Sequence, residues 1–570
     1  MSTHARPLAE WLSEASDAEL TALFTARRVR ADAGWQDFFD AAEALLDPTS
    51  IARALPSLTH GEATALHDAV STTTALDPTP PVQALTRLAL LRPDSTPFPP
   101  VTAAVADRVA PVPLEAEEPT EAGEAETARA AERAFTTVSA IADVLLLARD
   151  RPFALLSGGN ISAGEKRMLA DPGIPVESTD APAAIVPHSG LAAPDGRRLR
   201  VTERAEEWLR SPVADRWRSL VVGFRDGLPR GVRTDDGGWT ITTAWAYAHP
   251  WDPAWPERSA ALLERARLLG LIADDGSEPA WAASLREGAH VDSAPLTALL
   301  PSEVDRIFLQ NDLSAIAPGP LAPALDVRLR TIAARESAAQ ASSYRFTPES
   351  IAHALVAGET EDSIVEFLET LSLTGIPQPL RYLVSQTAQR HGLVRVSTDA
   401  ETGRTRIESS DPHLIEAMAV DQGLRPLALA KHVASLSTRV GRDTVYWALT
   451  DARYPATLVD EGGAVIAGER APMAEPPESN APDYSPLIAA LRSHQGPDAD
   501  AAWLDRELDA AVRAKAVLRV SVGMPDGSTR DLILEATGLG GGRLRGRDRA
   551  ADVERTLPVS SIRAASVIEQ

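Results

Sequence analysis

Two stretches dominated by proline and acidic side chains divide this chain into pieces that must bury their apolar surface separately. The first, APVPLEAEEPTEAGEAETA at 110–128, and the second, ERAPMAEPPESNAPDYSP at 469–486, offer little to a core. Proline within them removes backbone donors that a helix or strand would need. They predict linkers at 109–129 and 469–500, the first being either a linker or the acidic first turn of the helix that follows. A chain of 570 residues cut in this way holds several domains of ordinary size.

The pieces differ in pattern. Residues 1–108 carry apolar side chains at three-and-four spacing, as in LAEWLSEASDAELTALF, and predict short amphipathic helices. Residues 130–290 are again mostly helical, with LIADDGSEPAWAAS turning at Asp274-Asp275-Gly276. Helices followed by a small hairpin predict winged-helix-like units. Residues 303–395 mix the strands DRIFLQ and LVRVS with helices, one opening at Thr347-Pro348 and stopping at Gly358. Residues 396–468 continue as a small α+β unit. Residues 501–570 alternate apolar and polar side chains around glycine-rich turns, including Pro525-Asp526-Gly527, and predict a small β-barrel. The expected fold class is α+β multidomain, mainly helical.

Much chemistry is excluded by residue type. With no cysteine in the chain, disulfides, thiolate metal sites and cysteine nucleophiles are out. The 11 histidines are scattered singly, and neither an H-E-x-x-H pair nor a G-x-S-x-G elbow occurs. His188 reads as a solvated loop residue. His391, in QRHG, reads as a cationic ring at a helix C-terminus with Gly392 as the left-handed stop. LLSGGNISAGEKRMLA, at 155–170, has the glycine spacing of a phosphate-binding loop, but Glu165 stands where the lysine belongs. Its LSGG lacks the apolar strand and acidic pair that an ABC-ATPase signature requires. No enzyme, metal or cofactor is expected, leaving only an enzyme whose site is assembled from distant segments. The first thirty residues have no apolar signal core, and IADVLLLA is too short to span a bilayer. The expected location is cytoplasmic, nucleoid association included, with no membrane partner.

The net charge of −24 argues against non-specific duplex binding by the whole chain, so nucleic-acid contact must be local. The same acidity suits solubility or a basic protein partner. Arg543, Arg545, Arg547 and Arg549 recur at period two, so a strand would project all four guanidinium groups from one face, where they could follow a phosphate backbone. Gly541, Gly542 and Gly546 would let a backbone approach closely. The bland alternative is a solvated edge balanced by Asp548, Asp552 and Glu554. Lys166 and Arg167 form a second, weaker pair, for which a structural role is favoured.

VDRIFLQNDLSAIAPGPL, followed by SSYRFTPESIAHALVAGETEDSIVEFLETLSLTGIPQPLRYLV, resembles the amino-terminal domain of XPB-type helicases through Leu309, Gln310, Asp312, Tyr344, Arg345, Thr347, Ser350, Ala354, Gly358, Ile364, Leu368 and Pro377. The flanks, LAEWL…ELTALF, LLSGGNISAGEKRMLA and VTERAEEWLRSPVADRWRSLV, resemble actinobacterial helicase-associated proteins. The helicase motor motifs do not follow residue 395. The resemblance implies a docking domain at 303–395, with Gln310, Asp312, Tyr344, Arg345 and Thr347 facing a separate helicase or a transcription or repair protein. EATGLGGGRLRGRDRAADVERTLPVSSI resembles a WYL module, an SH3-type barrel, with Leu544-Arg545-Gly546 in place of the Trp-Tyr-Leu triplet. Together these imply a non-catalytic DNA-associated accessory protein of transcription or repair, contacting single-stranded or duplex DNA. The alternative is a protein-interaction scaffold that binds no nucleic acid.

Overall fold

The computed structural model describes residues 5–72, 75–114, 118–156, 161–162, 164–165, 185–186, 189–338, 341–460, 462–466, 473–475, 482–495, 499–524 and 528–568. Among these residues it is a mixed α/β structure with four separate sheets. Among the described residues no helix is long and apolar enough to cross a membrane.

The amino-terminal part is built from short helices with local start signals. Ser16 caps Asp17–Ala26 in a reciprocal pair with Glu19, Asp37 caps Phe38–Leu45, and Pro48 sits in the first turn of Pro48–Ala54. Leu8, Leu12, Leu20, Phe24 and Phe38 fill their shared core. Part of the expected 469–500 linker joins this core. Residues Ser485–Ser493 form a helix that buries Leu487, Ile488 and Leu491 there. Their three-and-four spacing gives the segment a continuous apolar face in spite of the flanking prolines. The Tyr484 hydroxyl donates to the Val29 carbonyl at 2.8 Å, and Arg492 pairs with Asp17 at 3.1 Å.

The other acidic stretch supplies the start of a long helix, Glu124–Asp150, with Glu124 and Glu126 in its first turn, where carboxylates suit the helix dipole. Around it pack Glu203–Arg210, Val213–Asp226 and Trp255–Leu268, with Trp208, Trp217, Trp239, Trp245, Trp255 and Trp281 all in one core. Burying an indole without a partner for its N–H is expensive. Trp217 therefore donates to the Leu269 carbonyl at 2.8 Å, Trp255 to that of Trp245 at 2.7 Å and Trp281 to that of Gly270 at 2.9 Å. The hairpin expected around Asp274–Gly276 is only a turn leading into the helix Ala280–Arg286. The antiparallel hairpin of this region lies earlier, Ala192–Asp195 with Arg198–Val201, and Phe153–Ala154 extends it to three strands.

Next comes a four-stranded sheet, ordered Phe308–Leu309, Ser314–Ala317, Ser342–Arg345, Ala334–Ala338. Helices Pro323–Ile332, Pro348–Val356, Glu361–Leu371 and Gln378–Arg390 pack with it around Tyr344, Phe346, Ile364 and Leu368. The strand Val394–Thr398 belongs to the following six-stranded sheet, pairing antiparallel with Thr405–Ser409 and parallel with Ala456–Val459.

Helix Ala499–Ala514 precedes five antiparallel strands, ordered Val553–Pro558, Arg543–Asp548, Thr529–Gly540, Val517–Gly523, Ile562–Ile568. The small barrel expected here is not formed: among the described residues the two edge strands do not pair, and the sheet stays open. Leu504, Leu508 and Ala511 of the helix cover the apolar face formed by Leu518, Val520, Leu534 and Leu544. The core is thus closed by a helix laid on a sheet, not by a sheet closed on itself.

Candidate nucleic-acid interface

The strand Arg543–Asp548 alternates as its period-two pattern requires. Arg543, Arg545 and Arg547 are exposed while Leu544, Gly546 and Asp548 turn inward. Arg549 lies just past the strand, exposed in the turn, with its N–H donating to the Ile533 carbonyl at 2.9 Å. Asp548, 2% exposed, takes a bond from Arg555 at 2.6 Å and one from the Ala550 N–H at 3.0 Å. The hydrogen bond to Arg555 holds its carboxyl below the ordinary carboxylate range.

The exposed face is graded in charge. Arg547 pairs with Asp552 at 2.7 Å and lies opposite Glu535 and Glu554 on the neighbouring strands. Arg545 lies opposite Gly538 and Thr556, and Arg543 opposite Gly540 and Pro558. A Cβ placed at Gly538 or Gly540 would meet nothing within 4 Å, so open, uncharged backbone flanks the two arginines. The expected close approach at Gly546 is internal: a Cβ there would sit 2.9 Å from the Glu535 carbonyl of the adjacent strand. Gly541 and Gly542 take φ of 61° and 70° to turn the hairpin. Lys166, Arg167 and His188, and the Pro525-Asp526-Gly527 turn, lie outside the described residues.

The five expected docking residues separate. Asp312 accepts from the Ser314 N–H at 3.1 Å and hydroxyl at 2.6 Å, and the Ser314 hydroxyl also reaches Gln310 Oε1 at 2.8 Å. The bonds from Ser314 keep the Asp312 carboxyl below its usual range. Arg345 reaches the Asp312 carbonyl at 3.2 Å. Gln310 and Asp312 therefore share one turn, with Arg345 of the neighbouring strand against it. Thr347 is the N-cap of Pro348–Val356, accepting from the Ser350 N–H at 3.1 Å. Tyr344 cannot meet a partner, being 1% exposed. Its hydroxyl donates to Asp326 at 2.6 Å, and burial, reinforced by that carboxylate, pushes its pKa up.

Asp326 belongs to a buried network between two parts of the fold. Arg330 lies 3.7 Å from Asp326 and 2.7 Å from Asp143 of the long helix, and Arg335 also bonds Asp143. Burial lowers the Arg330 pKa, but Asp143 and Asp326 outweigh it and raise the net value.

A second basic region was not legible in the sequence. A cleft of about 1150 Å³ brings together Arg149, Arg210, Arg328, Arg390 and Arg453 with Trp447. These residues come from five helices or helix ends spread over 300 positions of sequence, so no local spacing announces them. His391 also lines it. It caps its helix through the expected stop, Gly392 at φ 79°, but burial lowers its pKa and disfavours the cationic ring expected from sequence.

No curated protein matches the chain. Residues 307–432 match the family model described as helicase conserved C-terminal domain, a stretch that starts in the four-stranded sheet and runs into the six-stranded one. The expectation that the chain is not an enzyme is overturned by that match, because helicase-family proteins are usually ATP-dependent enzymes. Over the matched segment the chain is similar to the conserved C-terminal domain of helicases.

Proposed function

We propose that this chain works with nucleic acid in transcription or repair, in company with a protein partner such as a separate helicase. The strand Arg543–Asp548 holds a single strand through Arg543, Arg545 and Arg547, guanidinium groups being suited to phosphate. The observation that carries this reading is the open setting of Arg543 and Arg545. Neither has a carboxylate partner among the described residues, and glycine backbone lies beside them. The helicase-domain match supports it. The hairpin Ala192–Val201, with Arg197 and Arg198 exposed at its tip, is in this reading the wing of a winged-helix-like unit. The WYL-like reading of the last 70 residues is supported by the helix Ala499–Ala514 laid on a sheet of five strands.

Protein docking falls to the turn bearing Gln310 and Asp312, with Arg345 against it. Phe308, two residues before Gln310, is exposed, as is Leu373, whose N–H bonds the Ile307 carbonyl at 2.9 Å. Large exposed apolar side chains beside a polar turn suit a protein contact.

The test is fluorescence anisotropy of labelled single-stranded and duplex DNA with the full chain at low and physiological salt, alongside Arg543→Ala/Arg545→Ala/Arg547→Ala. ATP turnover is measured in parallel with and without DNA. Saturable binding lost in the variant upholds the strand as the contact. Absence of binding to either DNA at low salt removes the nucleic-acid reading and leaves the protein scaffold.

A further inference from the structure

Between the end of helix Asp17–Ala26 and the helices Phe38–Leu45 and Pro48–Ala54 lies a cavity of about 700 Å³, within the size range of small-molecule sites. Four arginines line it, Arg27, Arg28, Arg30 and Arg53, in a chain with 56 basic against 80 acidic side chains.

The carboxylates beside them are already engaged. Asp40 and Glu43 turn to Arg506, Asp47 accepts from the Thr49 N–H at 2.8 Å, and Asp32 takes Arg30 at 2.7 Å. Arg27, Arg28 and Arg53 have no carboxylate within ion-pair distance among the described residues.

Arg27 is the group that packing alone does not satisfy. It is 3% exposed, and its guanidinium donates to the Leu88 carbonyl at 2.8 Å, to the Ser50 hydroxyl at 2.9 Å and to the Leu45 carbonyl. Leu45 and Leu88 end the helices Phe38–Leu45 and Pro80–Arg87, so Arg27 pins two helices by their negative ends. That role leaves its Nε–H buried without an acceptor among the described residues, and a buried donor without a partner is costly. Arg53, in the last turn of its own helix, adds a like charge nearby. Burial, followed by that repulsion, pushes the Arg27 pKa down to about 10. Helix dipoles account for a cation at a helix end, but not for three guanidinium groups gathered at one cavity without a counter-ion.

An anion in the cavity supplies the missing counter-charge. Three cations call for more than one negative charge, which a phosphate monoester carries at neutral pH and a single carboxylate does not. Guanidinium forks also match phosphate oxygens in geometry. We propose that this cavity binds a phosphate monoester, with Arg28 and Arg53 on its oxygens and Arg27 as the buried charge behind them. The same group is presented by a free nucleotide and by the 5′-phosphate end of a nucleic-acid strand.

The test is isothermal titration calorimetry on the full-length chain carrying Arg543→Ala/Arg545→Ala/Arg547→Ala, so that the strand face cannot contribute. The probes are AMP, adenosine, and hexathymidylate with and without a 5′-phosphate. AMP or the phosphorylated oligomer should bind saturably, while adenosine and the unphosphorylated oligomer should not. Adding Arg28→Gln with Arg53→Gln should weaken binding roughly tenfold or more. Both side chains are exposed, so the thermal midpoint without ligand should stay unchanged; Arg27 is left in place because it pins two helices. AMP binding identifies a free phosphate ester as sufficient, and binding of the phosphorylated oligomer alone identifies a strand end. If neither binds, if the probes lacking phosphate bind as tightly, or if the Arg28/Arg53 variant does, the proposal fails; Arg53→Gln alone decides should the double variant unfold. Loss of binding at the Arg543 face would leave this result untouched.

Discussion

Tyr484 donates its hydroxyl hydrogen to the carbonyl oxygen of Val29 at 2.8 Å, joining positions 455 residues apart. The ring is 2% exposed and meets Phe24 edge-on at 5.7 Å. Tyr484→Phe keeps the ring contact and removes the bond, so it should cost about 1–2 kcal/mol in urea denaturation of the full chain. Tyr484→Ala, which also leaves a cavity, should cost about 3–5 kcal/mol. Equal losses in both variants would assign the whole effect to the hydroxyl.

Asp143 lies between Arg330 and Arg335, and Asp143→Ala would leave two half-buried guanidinium groups without their shared carboxylate. A loss of about 3–5 kcal/mol is expected. Hydrogen exchange should show lost protection in the helices Glu124–Asp150 and Pro323–Ile332, which that carboxylate joins. A loss confined to surface loops would refute the clasp.

Glu507, 4% exposed on the helix that packs against Ala5–Glu14, has an oxygen with no hydrogen-bond partner. Burial pushes its carboxyl up to about 7, with Arg6 opposing and Glu10 adding to the shift. The folded value lies above the unfolded one, so the fold favours the protonated form. That contribution is fully present below about pH 4.5 and is lost as pH rises through about 7. Glu507→Gln should flatten this decline and gain on the order of 1–3 kcal/mol at pH 8. Parallel pH profiles for the two proteins would exclude Glu507 as the source.

At the Arg543 face, salt dependence counts the phosphates engaged. Losing three arginine contacts to a single strand should reduce the slope of log K against log salt by about 2. A smaller change is expected from Arg547→Ala alone than from Arg545→Ala, since Asp552 already occupies Arg547. Anisotropy titrations at four salt concentrations measure both, and an unchanged slope would place the contact elsewhere.

The features legible in the sequence are those whose determinants lie within a few residues. Period-two alternation places Arg543, Arg545 and Arg547 on one face, and Thr347 and Gly392 mark a helix start and a helix stop. Tyr344 was misread because Asp326, the carboxylate that holds it, is 18 positions away and comes into reach only when helix Pro323–Ile332 packs on the sheet. Helix Ser485–Ser493 was hidden by its acidic, proline-rich flanks, since its apolar stripe acquires meaning only against the core of residues 5–105. The open carboxyl-terminal sheet escaped for a related reason: strand alternation shows that one face is covered, but not whether a helix or more sheet covers it.

The return of Ser485–Ser493 to the first helices has a consequence for synthesis on the ribosome. Tyr484 emerges 455 residues after Val29, which at roughly 5–20 residues per second is a delay of roughly 20–90 s. Through that interval the amino-terminal helices wait with the surface meant for Leu487, Ile488 and Leu491 uncovered. This unit is thus completed long after its helices are made, and during that wait a nascent chain would present an apolar surface to chaperones.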